Sequence, residues 1–205
     1  MKFSLPNIIS LIRVIIAPIF FLMLISGEYG LIHISCILYL IGAVTDYIDG
    51  WLARKYQDIT SWGKFFDPLA DKILTTSAFI AFVILHIIPL WMVIVIIIRD
   101  FGTTFLRAYA DNIDKPIVTS LLAKWKTFLQ MLFIAYILTG IFIISIVDNP
   151  NLGGLLNDMI YSSYTYVAML LLTLLTIWSG IEYIIQNKGV INSLWLTILG
   201  KNNAS

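Results

Sequence analysis

The 205-residue sequence predicts an all-α integral membrane protein: a six-transmembrane-helix bundle, one domain over residues 1–205, with a polar cavity facing the cytoplasm. Three observations predict it. The chain is 60% hydrophobic and 12% charged with a mean hydropathy of +0.92, more apolar surface than a soluble domain of this size needs. Its apolar runs recur at roughly the 20-residue length that crosses a bilayer. Its basic residues gather on alternate connections.

The first run, Ile8 to Ser26, follows Lys2 and is interrupted by Arg13 and Pro18. Ser26-Gly27-Glu28 is a poor small-residue cleavage site, so the run reads as a retained helix and not as a signal peptide. Gly27 and Gly30 mark a turn before the second run, Leu31 to Leu52; the third runs from Lys64 to His86 and the fourth from Pro89 to Ala110. After the turn signals of Asp111 to Pro116 comes the fifth run, Val118 to Val147. Asp148-Asn149-Pro150-Asn151, with Gly153 and Gly154, reads as a loop before the sixth, Met159 to Ile185, and a polar tail closes the chain. Tyr29, Trp91, Trp178 and Tyr183 suit the interfacial belts. The single cysteine, Cys36, allows no internal disulfide, and His33 and His86 form no His/Cys metal set.

Sidedness follows from the cations. Lys2, Arg13, Arg54, Lys55, Lys64, Lys115, Lys124, Lys126, Lys188 and Lys201 fall at ends that alternate to one side, while the opposite connections hold no Lys or Arg. The positive-inside rule then places both termini in the cytoplasm. A net charge of +1 conceals this asymmetry.

Acids stand where the second and third runs approach that side: Asp46, Asp49, Gly50, Ala53 and Arg54, then Gly63, Asp67 and Asp71. Residues three and four apart share a helix face, so each helix offers a pair of carboxylates on one side. Ionised groups taken out of water cost several kcal/mol each (of order) and like charges repel, so the cluster calls for compensation. Divalent cations supply it, because Mg²⁺ takes carboxylate oxygens and keeps positions for waters and phosphate oxygens. Solvated loop acids are the plainer alternative, but these acids adjoin apolar helical runs, where intramembrane acids mark function. A calcium loop needs alternating ligands around a sharp turn, which this spacing does not give. Gly50 and Ala53 are read either as helix-packing residues or as a surface for a ligand, and Arg54 as an interfacial anchor or a phosphate partner.

A basic group follows. Arg99 and Arg107 lie on the fourth run with Thr103 between them, and Lys124 and Lys126 open the fifth. Arg99 lies deep in an apolar run, a costly place for a cation. Pairing with Asp100 or with a carboxylate of the aspartate series is the plainer explanation; adjacent helical residues point about 100° apart, which argues against Asp100, and a pocket that takes an anionic headgroup is the better account. Asn7, Ser10 and Arg13 share a face of the first helix, where Asn7 and Ser10 also suit an ordinary helix start.

The series D-x-x-D-G-x-x-A-R followed by G-x-x-x-D-x-x-x-D, from Asp46 to Asp71, resembles the CDP-alcohol phosphatidyltransferase family at every position of its motif. Arg99-Asp100 to Arg107, Ala123-Lys124-Trp125-Lys126-Thr127, Gln130, and Pro6-Asn7 to Arg13 resemble its bacterial branch that uses glycerol 3-phosphate. Two positions depart from that branch: Asp100 stands where Glu is expected, and Ala123 where Gly is expected. The resemblance implies transfer of a phosphatidyl group from CDP-diacylglycerol to glycerol 3-phosphate with release of CMP. It implies two Mg²⁺ or Mn²⁺ ions on Asp46, Asp49, Asp67 and Asp71, with Asp71 as the catalytic base. It further implies CDP-diacylglycerol contacts at Asn7, Arg13, Asp49, Gly50, Ala53 and Arg54, and acceptor-phosphate contacts at Arg99, Thr103, Arg107, Lys124 and Lys126. A homodimer in the cytoplasmic (inner) membrane, spanning it several times, with no nucleic-acid partner, is expected as well.

Other readings remain at this point. Within the same chemistry the acceptor is alternatively an inositol phosphate, serine or phosphatidylglycerol. A divalent-cation transporter would place acids near the midplane with access from both sides. A membrane prenyltransferase would carry two separated aspartate motifs, whereas here there is one contiguous set.

Overall fold

The computed structural model describes residues 5–56, 61–113, 117, 120–147 and 149–198; for 5–9, 46–56, 61–68, 71, 112 and 198 it describes the backbone alone. All regular structure among the described residues is helical. Six long helices coincide with the six apolar runs: α1 (Leu5–Leu24), α2 (Tyr29–Tyr56), α3 (Ser61–Ile84), α4 (Leu90–Asn112), α5 (Leu121–Ile146) and α7 (Ser163–Gln186). Two shorter helices, α6 (Pro150–Ile160) and α8 (Lys188–Ile198), were not expected from the sequence.

The loop expected from Asp148 through Gly154 is corrected by α6. Asn149 caps it, its side chain accepting from the amides of Asn151 and Leu152, and Pro150 occupies the first turn, where a missing N–H costs nothing. Residues read as turn formers are therefore a helix start. The sixth run correspondingly begins not at Met159 but at Ser163, behind the cap of Ser162, whose Oγ accepts from Thr165 N at 3.3 Å. Likewise α5 begins behind Ser120, which accepts from Ala123 N, and not at Val118.

The turns are local chemistry. Gly27, at φ +77°, takes the left-handed conformation that ends the connection from α1 to α2. At the end of α3, Ile87 N donates to Phe82 O and His86 N to Val83 O, a Schellman closure with His86 at φ 59°. Ile87 and Phe82 are both buried, the apolar contact that accompanies that closure.

Helix contacts close a ring in the order α1, α3, α4, α7, α5, α2, with α3 also touching α5 across it and α8 lying against α4 and α7. The interior divides along the bundle axis. At one end Phe20, Phe79, Phe82, Met92, Phe133 and Ile134 form a dry core, with Phe79 stacked on Phe133 at a ring separation of 6.4 Å. Toward the other end the interior is polar: Ser10, Arg13, Asp100, Lys126, Gln130, Thr176 and Ser179 are all buried. The outside is the reverse, strongly apolar, with Ile98 68% and Trp178 66% exposed. Two stretches, Leu121–Ile146 and Pro150–Gln186, are long and apolar enough to cross a membrane by length and composition.

Close helix approach depends on Gly42 of α2, where an added Cβ would lie 2.8 Å from a methyl carbon of Leu74 on α3. Leu74 is itself buried, so a branched side chain has nowhere to displace it. Gly42→Ile is expected to destabilise the bundle by about 1–3 kcal/mol, read as a lower thermal midpoint in detergent. Gly30→Ala, at a position with open space, is expected to leave the midpoint unchanged.

Candidate functional site

The aspartate series lies on two neighbouring segments of helix. Asp46, Asp49, Gly50, Ala53 and Arg54 occupy the C-terminal part of α2, and Gly63, Asp67 and Asp71 the N-terminal part of α3. Their side chains lie outside the described residues, as does that of Asn7 on α1. The backbone places the two segments on helices that both pack along α1. Arg13, in the middle of α1, is 1% exposed, so its guanidinium points into the bundle and not outward. A cation there requires compensation from its surroundings.

The basic group is organised around a residue the sequence reading set aside. Asp100 of α4 is 5% exposed, and its Oδ1 takes an ion pair from Lys126 Nζ of α5 and a hydrogen bond from Arg99 Nη1 at 3.2 Å. The expectation that Asp100 is a poor partner for Arg99 is therefore corrected. Helical neighbours do leave the axis in different directions, but the arginine side chain is long enough to bend back to a short carboxylate beside it. Lys72 of α3 lies within electrostatic reach of both Asp100 and Lys126.

Three helices thus bring charge to one point. Lys126 is fully buried, a position tolerable for an ammonium only with a carboxylate against it. The backbone carbonyl of Asp100 also accepts from Thr103 Oγ1 at 3.1 Å and Thr104 Oγ1 at 2.8 Å. Beside this centre, two buried donors have no partner among the described residues, Arg99 Nε and Gln130 Nε2. Gln130 is one turn from Lys126 on the same face of α5, so the two orphaned donors flank the Asp100 centre. Unsatisfied buried donors cost roughly 1–3 kcal/mol each and mark places where a ligand acceptor is expected.

The remaining predicted members surround this centre less tightly. Tyr183 of α7 donates through its hydroxyl to Thr103 O at 3.3 Å, and Arg107 lies within electrostatic reach of the same tyrosine. Arg99, Thr103 and Arg107 are therefore linked through α4 and Tyr183. Arg99 and Thr103 also line a cavity of about 620 Å³ between α4, α7 and α8 whose other walls are mainly apolar. Arg107 and Lys124 are exposed, and Lys124 stands apart from the network. Sequence reasoning missed Asp100, Lys72 and Tyr183. Lys72 carried a usable signal, a cation beside Asp71 leading into an apolar run; Tyr183 carried none beyond the interfacial belt.

Comparison with known proteins shows the family. The family model of CDP-alcohol phosphatidyltransferases matches residues 3–195. A Bacillus subtilis (strain 168) protein named CDP-diacylglycerol--glycerol-3-phosphate 3-phosphatidyltransferase is 32% identical over 197 residues, covering 90% of this chain and 95% of its own. A Haemophilus influenzae protein of the same name is 32% identical over 198 residues, covering 92% and 96%. One from Salmonella typhimurium, again of that name, is 29% identical over 195 residues, covering 92% and 97%. The chain belongs to the CDP-alcohol phosphatidyltransferase family.

Proposed function

We propose that this member of the CDP-alcohol phosphatidyltransferase family is an integral membrane enzyme that transfers the phosphatidyl group of CDP-diacylglycerol to glycerol 3-phosphate, giving phosphatidylglycerophosphate and CMP. The observation that carries the acceptor assignment is the sharing of one buried carboxylate, Asp100, by two cations, Arg99 and Lys126. One carboxylate balances one of them. Among the described residues the positive charge exceeds the negative here, and with the unpartnered donors of Arg99 and Gln130 beside it this suits a phosphate dianion better than serine or free inositol. The names of the relatives in Bacillus, Haemophilus and Salmonella support the same acceptor.

In this reading six long helices cross the membrane, the apolar outer surface meets lipid, and the polar half of the bundle with both termini faces the cytoplasm. The chain acts as a homodimer in the cytoplasmic membrane. The acyl chains of CDP-diacylglycerol stay in lipid, while Asn7, Arg13, Asp49, Gly50, Ala53 and Arg54 take its cytidine diphosphate. A cation-transport reading has less support, because Phe20, Phe79, Phe82 and Phe133 pack much of the opposite half of the interior.

The donor set of Asp46, Asp49, Asp67 and Asp71 is all carboxylate oxygen, which fits hard divalent cations. Two Mg²⁺ or Mn²⁺ ions held there would neutralise the diphosphate and the charge that develops on departing CMP. Arg99, Thr103, Arg107 and Lys126 hold the acceptor phosphate and so place its free hydroxyl near the phosphatidyl phosphorus, while the exposed Lys124 draws the dianion in from outside the network. Asp71 accepts the hydroxyl proton as the new O–P bond forms and the bond to the CMP oxygen breaks. CMP leaves with that electron pair. Asp71 is the only member of the series given this role, in keeping with its last position.

Asp46→Asn, Asp49→Asn and Asp67→Asn are each expected to lower CMP release from CDP-diacylglycerol by several orders of magnitude, since each keeps size and loses a charged oxygen ligand. Asp71→Asn is expected to be as inactive but still to bind CDP-diacylglycerol; loss of that binding would make it a ligand only. EDTA should abolish CMP release and added Mg²⁺ or Mn²⁺ restore it, with full activity in excess chelator contradicting the metal assignment. Arg107→Ala is expected to lower kcat/KM for glycerol 3-phosphate about ten- to a hundredfold, the equivalent of one charged hydrogen bond of roughly 1.5–3 kcal/mol, with little change in CDP-diacylglycerol affinity.

A further inference from the structure

We infer that Asp100 and Gly180 are positioning residues that fix the Arg99 guanidinium from its two ends, and that the affinity for a phosphorylated acceptor depends on this double restraint. The inference rests on the acceptor assignment proposed above.

Arg99 projects from α4 toward α7, and its stem crosses α7 where Gly180 has no side chain. A Cβ built on Gly180 would stand 3.2 Å from Arg99 Cγ, inside ordinary van der Waals contact. The glycine is therefore the groove in which the arginine stem lies, and its backbone conformation plays no part. The head is held at the other end, where Nη1 meets Asp100 Oδ1 at 3.2 Å. Lys126 Nζ meets the same oxygen. Stem and head being fixed, the arginine retains little freedom to reorient, and its side chain is only 12% exposed.

The consequence for the acceptor is geometric. A guanidinium recognises phosphate through a planar fork, so a shift of a few tenths of an ångström at the stem turns the fork away from its partner. Adding a methyl at Gly180 pushes the stem, and the head cannot follow because Asp100 is itself clamped by Lys126. Removing the Asp100 charge acts from the other end, since Arg99 and Lys126 then face one another as like charges without a screen. Neither Asp100 nor Gly180 needs to touch the acceptor.

The test compares Gly180→Ala, Arg99→Ala and the double variant as purified full-length proteins in detergent micelles, with KM and kcat measured for each substrate. Gly180→Ala is expected to raise KM for glycerol 3-phosphate roughly tenfold, with kcat and the KM for CDP-diacylglycerol within about twofold of the parent. The double variant is expected to be no worse than Arg99→Ala alone, because Gly180 acts through that arginine. Asp100→Asn is expected to weaken the acceptor KM further, and Asp100→Glu to recover most of the loss by restoring the charge.

An unchanged acceptor KM in Gly180→Ala would overturn the inference. So would equal losses for both substrates, or effects that multiply in the double variant, because either marks a general packing role. Should Asp100→Asn fail to fold, the Gly180 series decides alone. A parent enzyme that does not use glycerol 3-phosphate would instead defeat the acceptor assignment, a result visible before any variant is compared.

Discussion

Charge buried in an apolar bundle has to be balanced where it stands, and that constraint organises this protein. Lys126 is fully buried and Asp100 nearly so; neither position is tenable without the other. Their pairing draws α4 to α5, and Arg99 and Lys72 bring α4 and α3 into the same field. Tyr183, donating to the backbone of α4 at Thr103, adds α7. Four helices that apolar packing alone would let slide are thereby registered at one level. Among the described residues the same pairing sets two cations, Arg99 and Lys126, against one carboxylate.

The division of the interior follows. Polar residues gather where the aspartate-bearing segments of α2 and α3 lie, and aromatic packing fills the far half. The far half provides rigidity, since interlocked aromatic rings and close contacts such as Gly42 against Leu74 leave little room for adjustment. The near half carries the costly groups. A scaffold stabilised at one end can carry, at the other, a shared carboxylate and buried donors that lack partners among the described residues.

Much of this was legible in the sequence, for physical reasons that also explain the gaps. Six long helices follow from apolar runs because the length of an apolar run is set by burial or by a bilayer, and both act along the whole segment. Helix ends are local, and there the reading slipped: Ser120 and Ser162 cap α5 and α7 a few residues inside the expected starts. Asn149 and Pro150 are turn formers and helix starters alike, so α6 could not be told from a loop without its neighbours. Asp46, Asp49, Asp67 and Asp71 stand out by their spacing together with the family resemblance, and α2 and α3 carry them on helical backbone, though their side chains lie outside the described residues. The Arg99 and Asp100 contact is hidden from helix-axis geometry because it depends on the reach of the arginine side chain. Asp100 and Lys126 are far apart in sequence, and nothing in either local pattern links them.

The central claim is that the charged centre selects a phosphorylated acceptor. Its most direct test is an acceptor panel, with purified protein in micelles given labelled CDP-diacylglycerol and glycerol 3-phosphate, glycerol, serine or inositol at equal concentration. The account predicts phosphatidylglycerophosphate as the dominant product, with the three acceptors that lack phosphate giving only marginal transfer. Transfer to glycerol or serine at a rate equal to that with glycerol 3-phosphate would contradict it.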